Sequence, residues 1–489
     1  MRTATIIIRD EVNIKIEGLE LDARKKLVNT FKYEIPGARY QPAVRLGRWD
    51  GKVAYFQLGG STYTNLLPEI IPILEDFNYD IELDDQRDYT TTFEFTKVAE
   101  DTFSDKVWPK THPLAGQPIM LRDYQVEIVN NFLENPQCLQ EVATGAGKTI
   151  MTASLSYSVE PYGRSIVIVP NKSLVTQTEA DYVNMGLDVG VFFGDRKDFG
   201  RTHTICTWQS LNVLLKNTKA GTGEFTINDF LEDVVCVIVD EVHMAKADAL
   251  KTLLTSVMAR VPIRWGLTGT VPKEPYEYKA LLCSLGPVIS HLSASELQDR
   301  GVLAQCHVNV VQLVDHVEYK DYQSELKYLL EESGRLDTIA ELIKQVNLTG
   351  NTLVLVDRIA AGQGIIERLG DNAVFVSGST KGKVRQDEYD EVATMDDKII
   401  VATYGIAAVG INIPRIFNLV LIEPGKSFVR VIQSIGRGIR KAEDKDHVQI
   451  WDVTSTCKFA KRHLTKRKVF YREANYPFTQ EKLEWMKIK

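Results

Sequence analysis

Val142-Ala143-Thr144-Gly145-Ala146-Gly147-Lys148-Thr149 follows a short strand-like segment, Leu139–Val142, and leads into a helical one, Thr149–Tyr157. Small residues in such a turn let successive backbone N–H groups point inward onto phosphate oxygens. Lys148 adds positive charge, and the Thr149 hydroxyl can reach a Mg²⁺ ion. The usual pattern has a glycine where Val142 stands, so the loop taken alone is also compatible with an ordinary strand-to-helix turn. A second motif decides between the two. Asp240-Glu241-Val242-His243 closes the apolar run Val234-Val235-Cys236-Val237-Ile238-Val239, which reads as a strand buried on both faces. Asp240 is placed to hold a metal, and Glu241 to orient and deprotonate a water. An acidic pair at a strand end is by itself commonly a solvated loop start. In order, and each behind a strand, the two motifs form the halves of one nucleotide-hydrolysis site.

Working outward, residues 121–285 alternate helix and strand. Arg122–Leu133 reads as a helix, and Ile166–Val169, Thr204–Cys206 and Ile263–Leu267 as short apolar strands, the last running into Thr268-Gly269-Thr270. A second set, within 286–455, comprises Leu353–Val356, Ala373–Val376, Lys398–Ala402, Leu419–Ile422 and Val448–Trp451, separated by helical stretches such as Ile359–Leu369. This alternation specifies an α/β fold with two consecutive doubly wound parallel sheets, whose ligands collect at the carboxyl ends of strands. Residues 1–90 read as a small α+β module. Its strands are Thr5–Ile8 and Val12–Ile16, and its helices Leu21–Phe31 and Leu66–Phe77. Val44–Trp49 and Lys52–Leu58 flank Asp50-Gly51, a dipeptide suited to a type I′ hairpin turn. Residues 91–120 pass through Trp108-Pro109 and Gly116-Gln117-Pro118 and carry a linker signature. Residues 456–489 form a basic C-terminal extension.

A chain of 489 residues exceeds what one hydrophobic core serves, so several domains are expected. The hydrophobic fraction of 44% and charged fraction of 25% are those of an ordinary globular protein. No apolar run approaches the roughly 20 residues that span a bilayer, and Thr5-Ile6-Ile7-Ile8 is too short for a signal-peptide core. A cytoplasmic protein without membrane partners is expected, and the sequons at Asn171 and Asn347 are then idle. The six cysteines include no Cys-x-x-Cys pair and the eight histidines no ligand spacing, which favours reduced, buried thiols over zinc. The net charge of −7 speaks against a polyanionic partner only on average. Basic residues gather at Arg39, Arg45, Arg48 and Lys52, and at Lys458, Lys461, Arg462, Lys466, Arg467, Lys468 and Arg472. Both clusters are consistent with phosphate binding and also with solvated faces.

Further motifs follow in order: Leu121-Arg122-Asp123-Tyr124-Gln125, Pro170-Asn171-Lys172-Ser173, Thr207-Trp208-Gln209-Ser210-Leu211, Ala402-Thr403-Tyr404-Gly405 through Gly410-Ile411-Asn412-Ile413-Pro414, and Gln433-Ser434-Ile435-Gly436-Arg437-Gly438-Ile439-Arg440. With these the chain resembles the superfamily 2 helicases and translocases over roughly residues 120–455, and the resemblance implies that both sheets are RecA-like domains. It further implies ATP and Mg²⁺ as cofactors. Arg122 and Gln125 would recognise adenine, and Thr144, Gly145, Ala146, Gly147, Lys148 and Thr149 would hold the phosphates, with Gly410 and Gln433 also facing the nucleotide. Thr149 and Asp240 would bind the metal. Glu241 would act as base, and Arg437 and Arg440 as arginine fingers. His243, Thr268 and Thr270 would couple hydrolysis to movement. Pro170, Asn171, Lys172, Ser173, Thr207, Trp208, Gln209 and Thr403 would touch the nucleic-acid backbone. Asn412 stands where many relatives carry Asp.

Within that superfamily the leading module with Arg48-Trp49-Asp50-Gly51-Lys52 and the basic tail resemble the recombination and repair helicases of tailed phages. That narrower resemblance implies an ATP-driven motor, acting as a monomer in an infected host cell. Its partners would be branched, forked and single-stranded DNA and DNA–RNA hybrids, with work in fork regression, Holliday-junction migration, R-loop unwinding and strand annealing. Arg45, Arg48, Trp49 and Lys52, with Tyr40 and Tyr55, would grip and stack on DNA at a fork, or else Trp49 is a core residue. Phe459, Leu464, Val469 and Phe470 of the tail would pack on the second sheet while its basic face meets DNA. An RNA helicase, a restriction-type double-strand translocase and an ATP-switched annealing protein are the competing readings. The full hydrolytic set argues against the last, and the lack of a nuclease carboxylate cluster against a self-contained restriction enzyme.

Overall fold

A computed structural model describes residues 2–89, 92–110, 114–242, 247–377, 391, 395–405, 415–425 and 445–487. Contacts divide the chain into two units, residues 1–142 with 147–291 and residues 143–146 with 292–489.

The first unit is built on an eight-stranded sheet. Its order is Arg196–Lys197, Val189–Phe193, His203–Thr207, Arg164–Val169, Val234–Asp240, Ile263–Thr268, Gln137–Val142 and Val288–Leu292. From Val189–Phe193 to Gln137–Val142 every pair is parallel. Helices on both faces bury strands such as Cys236–Val239 and Ile166–Val169 almost completely, which is why those segments are apolar without alternation. The strand Val288–Leu292 extends this sheet past residue 285, because its backbone completes hydrogen bonding at the Gln137–Val142 edge.

The N-terminal module carries a four-stranded sheet in the order Ser61–Tyr63, Asn13–Glu17, Arg2–Ile8, Tyr79–Asp85. Helices Leu21–Thr30 and Leu67–Asp76 contribute Ala23, Leu27, Ile70 and Leu74 to its core. That core continues without a break into Ala280, Leu282 and Cys283 of helix Pro275–Leu285. The Tyr55 hydroxyl donates to the Tyr276 carbonyl, and the Lys251 ammonium lies 4.4 Å from the centre of the Tyr55 ring. The module is therefore packed onto the first sheet domain rather than tethered to it.

Three readings of the module and its neighbour are corrected. Val44–Trp49 is not a strand. Pro42 starts a short helix, Pro42–Arg45, as its fixed φ allows. Lys52–Ala54 pairs with Lys32–Glu34 instead, so Asp50-Gly51 ends a long excursion over residues 35–51, with Gly51 at φ +76°. Tyr55 is a core residue, 2% exposed. The segment from residue 92 to 120 packs along the first unit. Phe93 and Phe95 stack on each other and meet Tyr162 edge-on, Phe103 meets Tyr157, and the Asn130 side chain hydrogen-bonds both backbone groups of Val98.

The second unit holds a seven-stranded sheet in the order Ala373–Val376, Ile399–Thr403, Thr352–Val356, Asn418–Ile422, His447–Ser455, Gln305–Leu313, Phe478–Leu483, with all neighbours parallel. The C-terminal extension is part of this unit, supplying the edge strand Phe478–Leu483 and helix Lys458–Glu473. The helix buries Ala460, Leu464, Arg467 and Tyr471, one stripe at helical spacing. Val469 is 43% exposed and faces away from that stripe. No helix among the described residues is long and apolar enough to cross a membrane. All six cysteines are buried and free.

Tyr55→Ala is expected to lower the unfolding free energy of the first unit by about 3–5 kcal/mol, the range for deleting a large buried aromatic. Chemical denaturation followed by fluorescence checks this, and the module should unfold together with its sheet domain rather than in an earlier transition.

Candidate nucleotide and nucleic-acid sites

The phosphate loop leaves the strand Gln137–Val142 and enters helix Lys148–Val159. Gly145 and Gly147 have φ of +94° and +83°, a region L side chains avoid. A Cβ on Gly147 would also come within 2.6 Å of the Gln125 Nε2. Gln125 is itself 5% exposed. Its Oε1 accepts from the Arg122 N–H at 2.9 Å, closing a capping box at the start of helix Asp123–Glu134. The two residues expected to recognise adenine thus stand directly against the loop expected to hold phosphate.

Across the sheet, Asp240 ends the strand Val234–Asp240, and the strand Ile263–Thr268 lies between it and the phosphate-loop strand. Lys148 Nζ reaches Glu241 Oε1 at 2.8 Å and donates to the Val142 carbonyl at 3.3 Å. Glu241 adopts φ +52°, a conformation that for a non-glycine residue costs about 1–3 kcal/mol and clusters at functional sites. Its N–H donates to Asp240 Oδ1 at 2.9 Å. The Gly269 N–H points at Glu241 Oε2 at 3.4 Å, so the Thr268–Thr270 turn touches the candidate base. The Thr268 hydroxyl donates to the Thr270 carbonyl at 2.7 Å, while the Thr270 hydroxyl is buried without a partner among the described residues.

Burial and the neighbouring Glu241 carboxylate push Asp240 up to about 7, against the pull of Lys148. A buried carboxylate held so far above its ordinary range is a poor structural group and a good metal ligand, since a divalent cation replaces the proton and relieves the repulsion from Glu241. The hard-oxygen pair of Asp240 and the Thr149 hydroxyl suits Mg²⁺. Glu141, absent from the expectations above, precedes the loop and braces the backbone just after the Thr268–Thr270 turn. It accepts from the Val271 N–H at 3.1 Å and pairs with His291 at 3.0 Å. Its place just before the loop was the only available signal.

Arg437, Arg440, Gly410, Gln433 and His243 lie outside the described residues.

Two family models match in tandem, "Type III restriction enzyme, res subunit" over residues 118–273 and "Helicase conserved C-terminal domain" over 334–442. The chain is a superfamily 2 helicase. It is similar to the ATP-dependent DNA helicase uvsW of Enterobacteria phage T4, with 24% identity over 453 residues that cover 88% of this chain and 87% of the relative. It is also similar to a putative DNA 3'-5' helicase Rad25 of Haloarcula marismortui, with 25% identity covering 67% of this chain and 51% of the relative. Among solved structures, a putative HsdR subunit fragment of a type I restriction enzyme from Vibrio vulnificus shares the fold. It aligns with a TM-score of 0.56 and 17% identity, covering 74% of this chain and 69% of that one.

In the helicase, the residues expected to contact nucleic acid divide by exposure. Arg164–Val169 and His203–Thr207 are adjacent parallel strands, and each is followed at once by a helix N-terminus. Asn171 caps helix Lys172–Asn184 by accepting from the Leu174 N–H, and Thr207 caps helix Trp208–Ala220 by accepting from the Ser210 N–H. Gln209 donates to the Pro170 carbonyl at 3.2 Å, tying the two starts together. Two helix N-termini side by side present free N–H groups and partial positive charge to a phosphate backbone, with Lys172 and Gln209 exposed beside them. Pro170 is buried. Trp208 is half-buried, packing on the hydrophobic core with its indole Nε1 buried. Thr403 ends its strand and is half-buried.

Lys148→Ala should abolish ATP turnover above background in a coupled assay. Because Asp240 must lose a proton to ligate metal, Mg²⁺-nucleotide affinity should fall as pH drops below neutrality. Binding near pH 7 should release a proton, measurable by calorimetry in buffers of different ionisation enthalpy. Gly147→Ala should weaken nucleotide binding by displacing Gln125.

Proposed function

We propose that this helicase is an ATP-driven DNA motor that remodels branched DNA. Fork regression, Holliday-junction migration and R-loop unwinding in phage recombination, repair and replication are its substrates and setting. One observation carries the reading. The N-terminal module is fused through a common core to the sheet domain bearing the nucleotide and backbone-tracking residues, and it holds out a basic and aromatic excursion over residues 35–51. Within it Arg45, Leu46 and Arg48 are exposed, and Tyr40 is 61% exposed with the Arg39 guanidinium over its ring. Trp49 is half-buried, braced by an indole hydrogen bond to the Lys52 carbonyl at 2.9 Å, and is not among the residues of the module's core. Guanidinium groups next to aromatic faces suit unpaired bases and the phosphates beside them. The similarity to the T4 helicase, which includes most of both chains, supports the same reading.

Hydrolysis follows from the residues in place. Phosphate oxygens compete for the Lys148 ammonium, so engagement of Lys148 frees Glu241 to accept a proton from water. Asp240 and Thr149 would hold Mg²⁺, which would supply charge neutralisation for the phosphates. The Gly269 N–H at 3.4 Å from Glu241 Oε2 connects the candidate base to the Thr268–Thr270 turn, the route by which a change at Glu241 would reach it. By the family resemblance Arg437 and Arg440 would act as arginine fingers, a role worth about 10³–10⁵-fold in related hydrolases. Branch migration re-forms a base pair for each one broken, so the net energy demand per step is near zero.

ATP turnover measured with no nucleic acid, single strands, forked DNA, Holliday junctions and RNA should be highest with the branched DNA, whereas preference for RNA would refute the proposal. Arg45→Glu with Arg48→Glu should weaken fork binding and lower the slope of log affinity against log salt by about 0.9 per lost contact, leaving unstimulated turnover intact. Deleting the whole module is a poorer test, since it uncovers Ala280, Leu282 and Cys283. Arg437→Ala should stop turnover while nucleotide binding, read by a fluorescent ATP analogue, stays within about threefold of wild type.

A further inference from the structure

A cavity of about 480 Å³ opens in the first unit, bounded by helix Trp208–Ala220, the hairpin of Val189–Phe193 with Arg196–Lys197, and the loop over residues 221–225. That volume falls in the range of about 300–1,000 Å³ that encloses a small organic ligand. Its floor is apolar. Phe192 and Leu214 are each 5% exposed, and the half-buried Phe225 sets its ring edge-on to Phe192 at 5.9 Å. The rim is polar, with Lys197, Asn217 and Glu224 exposed on it. Val213, 58% exposed, lines the cavity from the helix.

Two connections tie this cavity to the residues expected to contact a nucleic-acid backbone. Gln209 and Ser210, in the first turn of helix Trp208–Ala220, belong to its lining, and Gln209 also donates to the Pro170 carbonyl beside the neighbouring helix start. Gly194 of the lining has φ +54°, and a Cβ placed there would lie 3.5 Å from Lys172 Nζ. An ammonium therefore stands at the hairpin turn. A phosphate held by Lys172 and the two helix starts is one sugar away from a base, and the cavity is what lies beside it. The lining also discriminates between parts of a nucleotide. Glu224 repels a phosphate, whereas an apolar floor ringed by a donor (Lys197), an acceptor (Glu224) and a group that is both (Asn217) fits a flat ring with hydrogen-bonding edges. That description is a nucleobase.

We propose that this cavity receives one unpaired base of the DNA strand that crosses the helix starts, swung out of its stack. The inference rests on the reading of Lys172, Gln209 and their neighbours as backbone contacts. Swinging a base out is least costly when it is already without a complement, so an occupied cavity favours a single-stranded segment over a fully paired one. Phosphate contacts alone carry no information about the bases. The cavity supplies what they lack, a way to register that the tracked strand has been opened.

The test measures binding of the full chain, by fluorescence anisotropy, to a short oligothymidine in which one nucleoside at a time is made abasic. Each abasic strand keeps every phosphate, so only a base contact is removed. At one position the loss should weaken binding by about fivefold or more, the scale of a single stacked base. Val213→Trp fills the cavity from an exposed helix position without changing charge. It should bind the intact strand about as weakly as wild type binds the sensitive abasic strand, and should no longer distinguish the two. Its unfolding midpoint and its ATP turnover without DNA should match wild type. If Val213→Trp does not fold, Asn217→Trp, one turn further along the same face, takes its place with the same expectations. Abasic strands that all bind wild type within about twofold of the intact one would overturn the proposal. So would wild-type binding of the intact strand by Val213→Trp, the result expected if an aromatic side chain of a partner protein is the natural occupant. Unaltered affinity and salt dependence in Lys172→Ala refute the backbone reading itself. Weakened binding by Lys172→Ala with no sensitive abasic position refutes only the base cavity.

Discussion

A parallel strand can be followed by another only after a crossover, so every loop that leaves a strand in such a sheet opens on the same edge. That constraint organises both units. In the first, Gln137–Val142, Ile263–Thr268 and Val234–Asp240 are consecutive neighbours. Their carboxyl ends bring the phosphate loop, the Thr268–Thr270 turn and the Asp240–Glu241 pair into one row. On the next two strands the same edge opens into the helix starts capped by Asn171 and Thr207. The candidate nucleotide-binding residues and those expected to contact the nucleic-acid backbone thus lie along one edge of one sheet. In the second unit Thr403 and the Glu423 turn end neighbouring parts of the sheet in the same manner.

The charges gathered on these edges are of two physical kinds. Lys148, Asp240 and Glu241 are nearly buried and share one small cluster of opposed charges. Asp240 is held above its ordinary range, Glu241 adopts a strained backbone, and Lys148 divides its donors between a carboxylate and a carbonyl. Groups in that condition change partners readily when a polyphosphate and a divalent cation compete for them. The cluster around Asp452 differs. Burial works against the Arg467 charge, but the Asp452 carboxylate and the Tyr471 hydroxyl outweigh it and keep the guanidinium protonated. Each nitrogen of that guanidinium has a geometric partner. One cluster is poised for exchange and the other is locked. Exposed pairs such as Arg196 with Glu179 belong to neither kind and contribute about 0–1 kcal/mol.

The parallel cores were legible because strands covered on both faces, such as Val234–Asp240 and Asn418–Ile422, must be apolar throughout. The phosphate loop and the acidic pair were legible because their chemistry tolerates few substitutes. What escaped were elements fixed by distant partners. Tyr79–Asp85 is acidic and looks like a loop, yet it is an edge strand in register with Arg2–Ile8, with its charges on the solvated side. Gln305–Leu313, omitted from the strands read in the second half, lies between His447–Ser455 and the C-terminal edge strand. The segment from 92 to 120 has the prolines and glycines of a linker, but Phe93, Phe95 and Phe103 give it apolar surface to bury. Arg467 looked like its basic neighbours because nothing local distinguishes it, and only its place in the buried stripe of the helix sets it apart. Local pattern reports local structure well and cannot report a partner that only the fold brings near.

The union of the N-terminal module with the first sheet domain bears on how the proposed motor could act at a junction. When net base-pairing energy is near zero, moving a branch needs little force and a great deal of direction. A module on a flexible linker would hold a junction nearby but let it rotate freely, so the motor's steps would not be referred to the branch point. Here the common core of Ile70, Leu74, Tyr55, Leu282 and Cys283 removes that freedom, and the exposed Tyr40–Arg48 excursion keeps a fixed relation to the helix starts at Asn171 and Thr207 within one unit. Any displacement of the tracked strand relative to those helix starts is then also a displacement relative to the excursion. In the proposed motor, rigid fusion would turn translocation along one strand into motion of the junction itself, the physical requirement for remodelling a branch rather than merely travelling along DNA.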